Sequence, residues 1–423
     1  MTVNIPPSQQ KRLVIIGSGF AGLKLAQKLR NSVFQIVLID KYNYHQFQPL
    51  FYQVATSGIE PSAISFPLRK IFQKVKNVFI RITEVTFIDT EKQVINTNLG
   101  DIYYDYLVVA TGANTSYFGM KSLEEHSLPM KTTEEALNLR NSILQNFEDA
   151  LSCKNEADKE GYLNITVVGG GPTGVEVSGA LAEMKKFVIP KDFKELDSSK
   201  IHIYLLEAAD KLLNGMSEIA SLKAKIFLKS LGVEVITNTA VTNYDGKTVE
   251  LSDGKKIISN TLIWTAGIKG NIINGLNSDI LGKGNRIKVN KYNQIQGYEN
   301  IFALGDIALM TEEKYPKGHP QVAQVAIQQA RLLAKNLLRI QFNKPLHPFK
   351  YQNLGSMATI GRNRAVVDFP FVRFQGIFAW FVWMFVHLMS IVGVKNRLLL
   401  FINWFWNYVT YDQSLRLIIR TKK

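Results

Sequence analysis

Two glycine turns, each followed by an acid, are where residue type and spacing could do chemistry. The first is Gly17-Ser18-Gly19-Phe20-Ala21-Gly22, with Asp40 lying 18 residues beyond Gly22. Gly17 suits a tight turn, Gly19 lets a pyrophosphate approach the main chain, and Gly22 lets a helix pack closely on a strand. Phosphates would meet the free N–H groups of the helix that follows. An acid at the end of the next strand can hydrogen-bond a ribose 2′-hydroxyl. The second turn is Gly169-Gly170-Gly171-Pro172-Thr173-Gly174, followed after a longer gap by Glu207. One such turn alone would also fit another α/β fold. Two, each with its acid, predict two dinucleotide sites in one chain.

Other residues fit around these turns. Asp306 follows Ile301-Phe302-Ala303-Leu304-Gly305 and could bond the ribityl hydroxyls of a flavin, or simply cap a strand end. Thr111-Gly112 closes an apolar strand in a way that brings main chain against a cofactor, and Leu262 to Gly267 repeats the pattern. A helix predicted over Pro320 to Leu338 carries Gln321, Gln324 and Gln328, amides suited to a carbonyl oxygen. Ala323, Ala326 and Ile327 are interleaved with them, and the small residues permit close approach. The segment Lys41 to Ala55 is aromatic and amide-rich, broken by Pro49. It reads as lining the flat ring of a bound cofactor, or else as a packed surface loop. His45 within it reads as structural rather than as a base.

The elements that must hold these groups follow from hydrophobic patterning. Leu13–Ile16 and Gln35–Ile39 read as buried parallel strands around a helix bearing Leu23, Ala26 and Leu29. Strands are also expected over Val78–Asp89, Gln93–Thr97 and Tyr103–Ala110. A helix is expected over Lys131–Leu151, with Thr132 or Thr133 as its cap and Glu134-Glu135 in its first turn. The second half repeats the plan: strand Tyr162–Val168, glycine turn, helix, then strand Ile201–Leu206. The basic, proline-containing stretch Lys185–Lys200 reads as an insertion that lengthens the second gap. A helix over Ser221–Leu231, a strand over Gly232–Ile236 and a hairpin arm at Thr248–Leu251 complete it. The pattern predicts an α/β fold with two Rossmann-like dinucleotide-binding domains.

Bulk properties narrow the class. The chain has 423 residues, 46% of them hydrophobic, and a formal net charge of +15. That charge suits nucleic acid, an anionic membrane or anionic substrates. The single cysteine, Cys153, excludes a disulfide framework, a dithiol redox pair and a zinc site, and no metal site is expected. The first twelve residues lack the apolar core of a signal peptide, so the chain is expected on the cytoplasmic side. The C-terminal part differs from the rest. Gly376–Val394 is almost wholly apolar; Lys395, Asn396 and Arg397 interrupt it; Leu398–Tyr411 then carries Trp404, Trp406, Tyr408 and Tyr411. Lys395, Arg397, Arg416, Arg420, Lys422 and Lys423 face Asp412 alone. Aromatic residues along two segments, with cations between and after them, favour amphipathic helices lying in the membrane interface over a span or a soluble dimer surface.

GSGFAG, FQPLFYQVA, VVGGGPTGVE, LGD, AQVAIQQ and the GSMATIGR…AWFVWMFVHL tail together resemble the type II, non-proton-pumping NADH:quinone oxidoreductases, from about Lys11 to about Arg420. The resemblance implies an FAD-binding domain over 1–118 and 285–355, an NADH-binding domain over 119–284 and a membrane-anchoring region over 356–423. It implies FAD contacts at Gly17, Ser18, Gly19, Phe20, Ala21, Asp40, Lys41, Val85, Asp306, Ala326 and Ile327. NADH is implied on Gly169, Gly171, Gly174 and Glu207. A membrane quinone is implied near the glutamine helix, with Gln324 and Gln328 as candidates. Glu176 matches the family's functional glutamate; the reading from its position alone is a first-turn acid favoured by the helix dipole. The implied setting is the cytoplasmic face of the inner membrane, with the lipid surface as partner and room for a homodimer. Without a bundle of membrane helices carrying buried ionisable groups, no proton translocation is expected. Rival readings are another FAD/NADH reductase of this fold with a protein or small-molecule acceptor, and a non-enzymatic nucleic-acid binder. A cationic, aromatic, apolar tail rather than a basic groove argues against nucleic acid.

Overall fold

A computed structural model describes residues 2–411 and 415–419. In chain order the elements used below are β1 (Arg12–Ile16), α1 (Phe20–Leu29), β2 (Gln35–Asp40), α2 (Phe51–Ala55), β3 (Val78–Ile82), β4 (Tyr106–Val109), α3 (Thr133–Ser152), β5 (Asn164–Val168), α4 (Pro172–Phe187), β6 (His202–Leu206), α5 (Glu218–Ser230), β7 (Val233–Ile236), β8 (Thr261–Trp264), β9 (Ile301–Ala303), α6 (Ala323–Gln341), β10 (Ser356–Thr359), β11 (Ala365–Asp368), β12 (Arg373–Gln375), α7 (Ile377–Ser390) and α8 (Val394–Thr410). As far as its residues are described, the chain forms two compact units. One comprises Met1–His45, Phe66–Asn114 and Ile268–Asn353; the other comprises Gln46–Ser65, Thr115–Gly267 and Leu354–Lys423.

In the first unit five parallel strands lie in the order β9-β4-β1-β2-β3. Their near-continuous apolar sequences suit burial on both faces. A three-stranded antiparallel sheet (85–89, 94–97, 100–103) adds Ile88, Ile95 and Ile102 to a core with Val14, Val37, Leu107 and Ile301. Strand order reverses beside β1, so β1 and β4 flank a switch point, where the carboxyl ends of an open α/β sheet leave a ligand crevice.

The second unit repeats this plan. Residues 128–129, β8, β5, β6 and β7 form a parallel sheet, and an antiparallel sheet (241–244, 248–251, 256–258) closes its core over Val168, Leu206, Leu262 and Trp264. Thr132 caps α3 with a full capping box to Glu135. The C-terminal β10–β11–β12 sheet is antiparallel and leads into α7 and α8. These helices do not stand apart: Ala379, Trp383, Leu400 and Trp404 are buried within the unit.

Several expected elements end differently. Val78–Asp89 is two strands in different sheets, and Tyr103–Ala110 breaks at Tyr104-Asp105, because the chain leaves the parallel sheet for the antiparallel one at the first point and returns at the second. Tyr162 and Leu163 end a short helix rather than start β5. α4 continues to Phe187, three residues into the supposed insertion. α6 starts at Ala323, not Pro320, since Val322 is extended and Val322 N–H bonds back to the Pro320 carbonyl. The tail helices break at Ile391–Gly393, where Gly393 has φ +85°, and Lys395 to Arg397 lie inside α8. No helix among the described residues is long and apolar enough to cross a membrane. Asp412, Arg420, Lys422 and Lys423 lie outside the described residues.

Candidate active site

The first glycine turn has the division of labour its spacing requires. Gly17 has φ +100°, and a Cβ there would stand 2.3 Å from the Ala110 carbonyl oxygen beyond β4; a Cβ on Gly22 would meet the Gly17 oxygen at 1.8 Å. Gly19, the N-cap of α1, faces open space instead. Main-chain N–H groups of the first helical turn are thus presented to an uncovered volume, which is the need of a phosphate. Asp40 has a task that spacing alone does not reveal. Its Oδ2 accepts from Ser18 N–H and Oγ–H at 2.6 and 2.7 Å, and its Oδ1 accepts from Tyr42 N–H at 2.9 Å. His45 Nδ1 donates to the Ser18 carbonyl at 2.8 Å, and burial pushes its pKa down to about 4, so it is a neutral structural histidine.

The second turn copies the first. Gly169 has φ +108° and abuts Ala266 beyond β8, Gly174 abuts the Gly169 carbonyl, and Gly171 faces open space. Glu207 accepts from Gly170 N–H, and from Ala209 N–H at 2.7 Å. In both units, then, the acid at the end of the second strand also clamps the second residue of the glycine turn.

Three separate pieces of the first unit converge. A Cβ on Gly305 would lie 3.3 Å from Ala326 and 3.5 Å from Ala21, so the glycine turn, the Leu-Gly-Asp turn and the start of α6 share one place. Gln329, a buried residue the sequence did not single out, accepts from Gly305 N–H at 2.8 Å. Gln321 Nε2 donates to the Asp306 carbonyl at 3.0 Å. These small residues and open N–H groups fit a flavin dinucleotide. Thr111 Oγ1 donates to the Asn271 carbonyl at 2.6 Å, while Gly112 faces open space. Lys41 pairs with Glu84, and Val85 and Ile327 are half-buried. Gln328 exchanges two hydrogen bonds with the Gln352 main chain, at 2.8 and 3.0 Å, so its amide already ties α6 to that segment.

Glu176 is not a first-turn acid. It is the fifth residue of α4, whose first turn holds no acid, and it is buried. Burial pushes its pKa up to about 8; the Thr359 N–H, 3.4 Å from Oε1, and the Trp383 indole act weakly the other way. The Trp383 N–H reaches toward the carboxyl without closing a hydrogen bond of good geometry. Glu176 therefore holds a proton at neutral pH.

In the same unit lies a cavity of about 870 Å³, including its open mouth. α2 and the turn after it contribute Tyr52, Gln53, Thr56 and Gly58; α4 contributes Ala180, Glu183 and Phe187. Thr359, Gly361 and Arg362 form one end, and Trp380, Trp383, Trp404, Asn407 and Tyr408 come from the tail helices. Trp404 Nε1 donates to Gln53 Oε1 at 2.7 Å, and Gln53 Nε2 donates to the Tyr52 hydroxyl at 2.8 Å. Asn407 Nδ2 donates to the Gly58 carbonyl at 2.7 Å. The Arg362 guanidinium lies between the rings of Tyr408 and Tyr411, 3.9 and 3.8 Å from their centroids. An aromatic slot with few polar groups suits a flat, largely apolar ligand.

Residues 11–330 match the pyridine nucleotide-disulphide oxidoreductase family, and residues 353–410 match the NDH2 C-terminal domain. The type II NADH:quinone oxidoreductase Ndh of Mycobacterium tuberculosis is 38% identical over 416 residues, covering 94% of this chain and 88% of that protein. The chain belongs to the type II NADH:quinone oxidoreductase family. A Staphylococcus aureus type II NADH:quinone oxidoreductase is 30% identical over 84% of this chain and 89% of its own length. The fold agrees with NDH2 of Plasmodium falciparum in complex with NADH, at TM-score 0.88 and 22% identity, covering 97% of this chain and all of that one. The sulfide:quinone oxidoreductase of Aquifex aeolicus shares the fold at TM-score 0.72 and 22% identity over 92% of each chain.

Within this type II NADH:quinone oxidoreductase, Cys153 alone leaves no thiol pair for disulfide or sulfide chemistry. Gln324 and Gln328 are not among the residues lining the cavity. Its walls instead include Tyr52, Glu183, Arg362 and Trp383, which sequence reasoning passed over. Only the aromatic richness of Phe47–Tyr52 and of the tail hinted at them.

Proposed function

We propose that the aromatic cavity of the second unit receives the quinone, and that the Gly17–Gly22 and Gly169–Gly174 turns hold FAD and NADH respectively. The enzyme oxidises NADH and reduces a quinone. FAD, when bound, supplies the two-electron relay between them. The small residues Ala21, Gly305 and Ala326 bring three segments of the first unit together where a flavin would lie, and the open face of Gly19 suits its pyrophosphate. Asp40 would accept from a ribose hydroxyl and Asp306 from the ribityl chain. The protein's part is orientation, exclusion of water and proton supply. The observation that carries the quinone assignment is the aromatic cavity backed by Glu176, an acid protonated at neutral pH. A photoreactive azidoquinone tests it: label should fall on α2, α7 or α8, and label confined to other segments overturns it.

Asp306→Ala should purify with less than about a tenth of the wild-type flavin, because a charge-assisted hydrogen bond contributes about 1.5–3 kcal/mol. The ratio of visible to 280 nm absorbance measures this, and full occupancy removes Asp306 from the flavin site. Glu207 should make the enzyme prefer NADH, since its carboxylate accepts a 2′-hydroxyl and repels a 2′-phosphate. Glu207→Gln should lower the ratio of kcat/KM for NADH over NADPH by roughly tenfold. An unchanged ratio would leave Glu207 only as the clamp on Gly170.

The apolar faces of α7 and α8 rest in the lipid interface of an anionic leaflet, which on the reading above is the cytoplasmic face of the inner membrane. Phe378, Phe381, Phe385, Phe401, Phe405 and Trp406 are more than half exposed. Lys395 and Arg397 stand in the first turn of α8.

A further inference from the structure

Glu183 is the acid among the described residues lining the cavity. It follows Glu176 by seven residues on α4, so it shares a helix face with it, about 10.5 Å further along the axis. Glu176 itself is walled off by Tyr52, Thr359 and Trp383, all three of which reach the cavity. The surroundings of Glu183 are mixed. The Arg362 main-chain N–H donates to its Oε1, and the charges of Arg362, Arg364 and Lys186 favour the carboxylate. Burial outweighs them and raises its pKa. From α2 the Tyr52 phenol faces it, and burial above all holds this phenol in its protonated form.

Resting on the cavity as the quinone site, we propose that Glu183 hands the solvent-derived proton to the quinone bound there. Forming a quinol takes two electrons and two protons. NADH brings both electrons and one hydrogen, so one further proton comes from solution. In this step the carboxyl O–H bond of Glu183 breaks and an O–H bond forms on the quinone oxygen. The carboxylate left behind takes a proton from water at the cavity mouth, which restores the acid.

Glu183→Gln tests this in the full-length holoenzyme, because glutamine keeps an oxygen to accept the Arg362 N–H. NADH-driven flavin reduction should stay within twofold of wild type, while reoxidation by a short-chain quinone falls at least tenfold. Glu183→Asp should recover part of the loss, and formate added to the glutamine variant should raise the reoxidation rate with concentration. Infrared difference spectra of the protein without quinone should lose one protonated-carboxyl C=O band in the variant. Wild-type reoxidation in Glu183→Gln, or a loss that neither aspartate nor formate relieves, overturns the inference. Azidoquinone labelling separates the two layers. Label on the cavity segments in both proteins with unchanged reoxidation rejects Glu183 alone; label elsewhere in wild type rejects the cavity, and the role of Glu183 with it.

Discussion

Glu176→Gln is expected to retain FAD, to be reduced by NADH at close to the wild-type rate, and to be reoxidised by quinone on the order of 100-fold more slowly. The reason is that Glu176 relays the NADH-derived proton to the cavity through the Tyr52 phenol, beside the solvent-derived proton of Glu183, and loss of an acid-base relay costs in this range. The carboxyl is buried and protonated to about pH 8, so glutamine matches its shape and removes only the transferable proton. Stopped-flow traces of the two half-reactions separate these effects. Equal loss in both would place Glu176 at the nicotinamide instead, and no loss in either would leave it a packing residue. The same burial has a stability consequence. Folded Glu176 keeps a proton that the unfolded chain releases near its ordinary pKa of 4.5. The native state therefore binds more protons than the unfolded state between about pH 4.5 and pH 8, and stability falls as pH rises through that window. Glu176→Gln should lose this component, so its Tm should decline less than the wild-type Tm between pH 5 and pH 8. A parallel decline would show that the carboxyl is not held protonated.

Replacing Phe378, Phe381 and Phe385 together by serine should release the protein from anionic liposomes. These side chains are 66%, 51% and 65% exposed. Burying one phenylalanine contributes about 1.5–3 kcal/mol, so removing three should lower partitioning on the order of a thousandfold or more. High salt should weaken wild-type binding only partly, because apolar burial adds to charge attraction. NADH-driven flavin reduction should be unchanged, since these three residues lie outside the cavity lining. Full sedimentation of the triple variant with liposomes would refute the anchor. Retained binding with conversion of a dimer to a monomer would make this face a contact between copies. Cutting the chain after Arg373 is a poorer experiment, because it also removes Trp383, Leu400 and Trp404 from the core of the second unit and unroofs Tyr52 and Gln53.

The dinucleotide turns were legible residue by residue. Gly17 makes the turn, Gly22 packs closely and Gly19 is left open as their spacing required, and Gly169, Gly174 and Gly171 repeat that geometry, because a β-turn-α unit is local and its steric demands fall on fixed positions. The Thr132 cap of α3 was legible for the same reason. Element ends were less so. Pro320 looked like a first-turn residue, yet the chain stays extended to Val322; the break between the tail helices fell at Gly393 rather than at the charges that follow.

Composition and local spacing thus determined the α/β class, the two glycine turns, the terminal acids Asp40 and Glu207, and an aromatic, cationic tail, since each depends on residues close together in sequence. Tertiary structure alone decided three other matters. It joined α2, α4, β10 and the two tail helices around one cavity, although they span positions 51 to 410. It buried Glu176 behind Tyr52, Thr359 and Trp383, turning an apparent helix-dipole acid into one that keeps its proton. It also occupied the Gln328 amide with Gln352. The physical reason is that desolvation and hydrogen-bond partnership belong to a position in space, and no pattern along the chain encodes which distant side chain will remove the water.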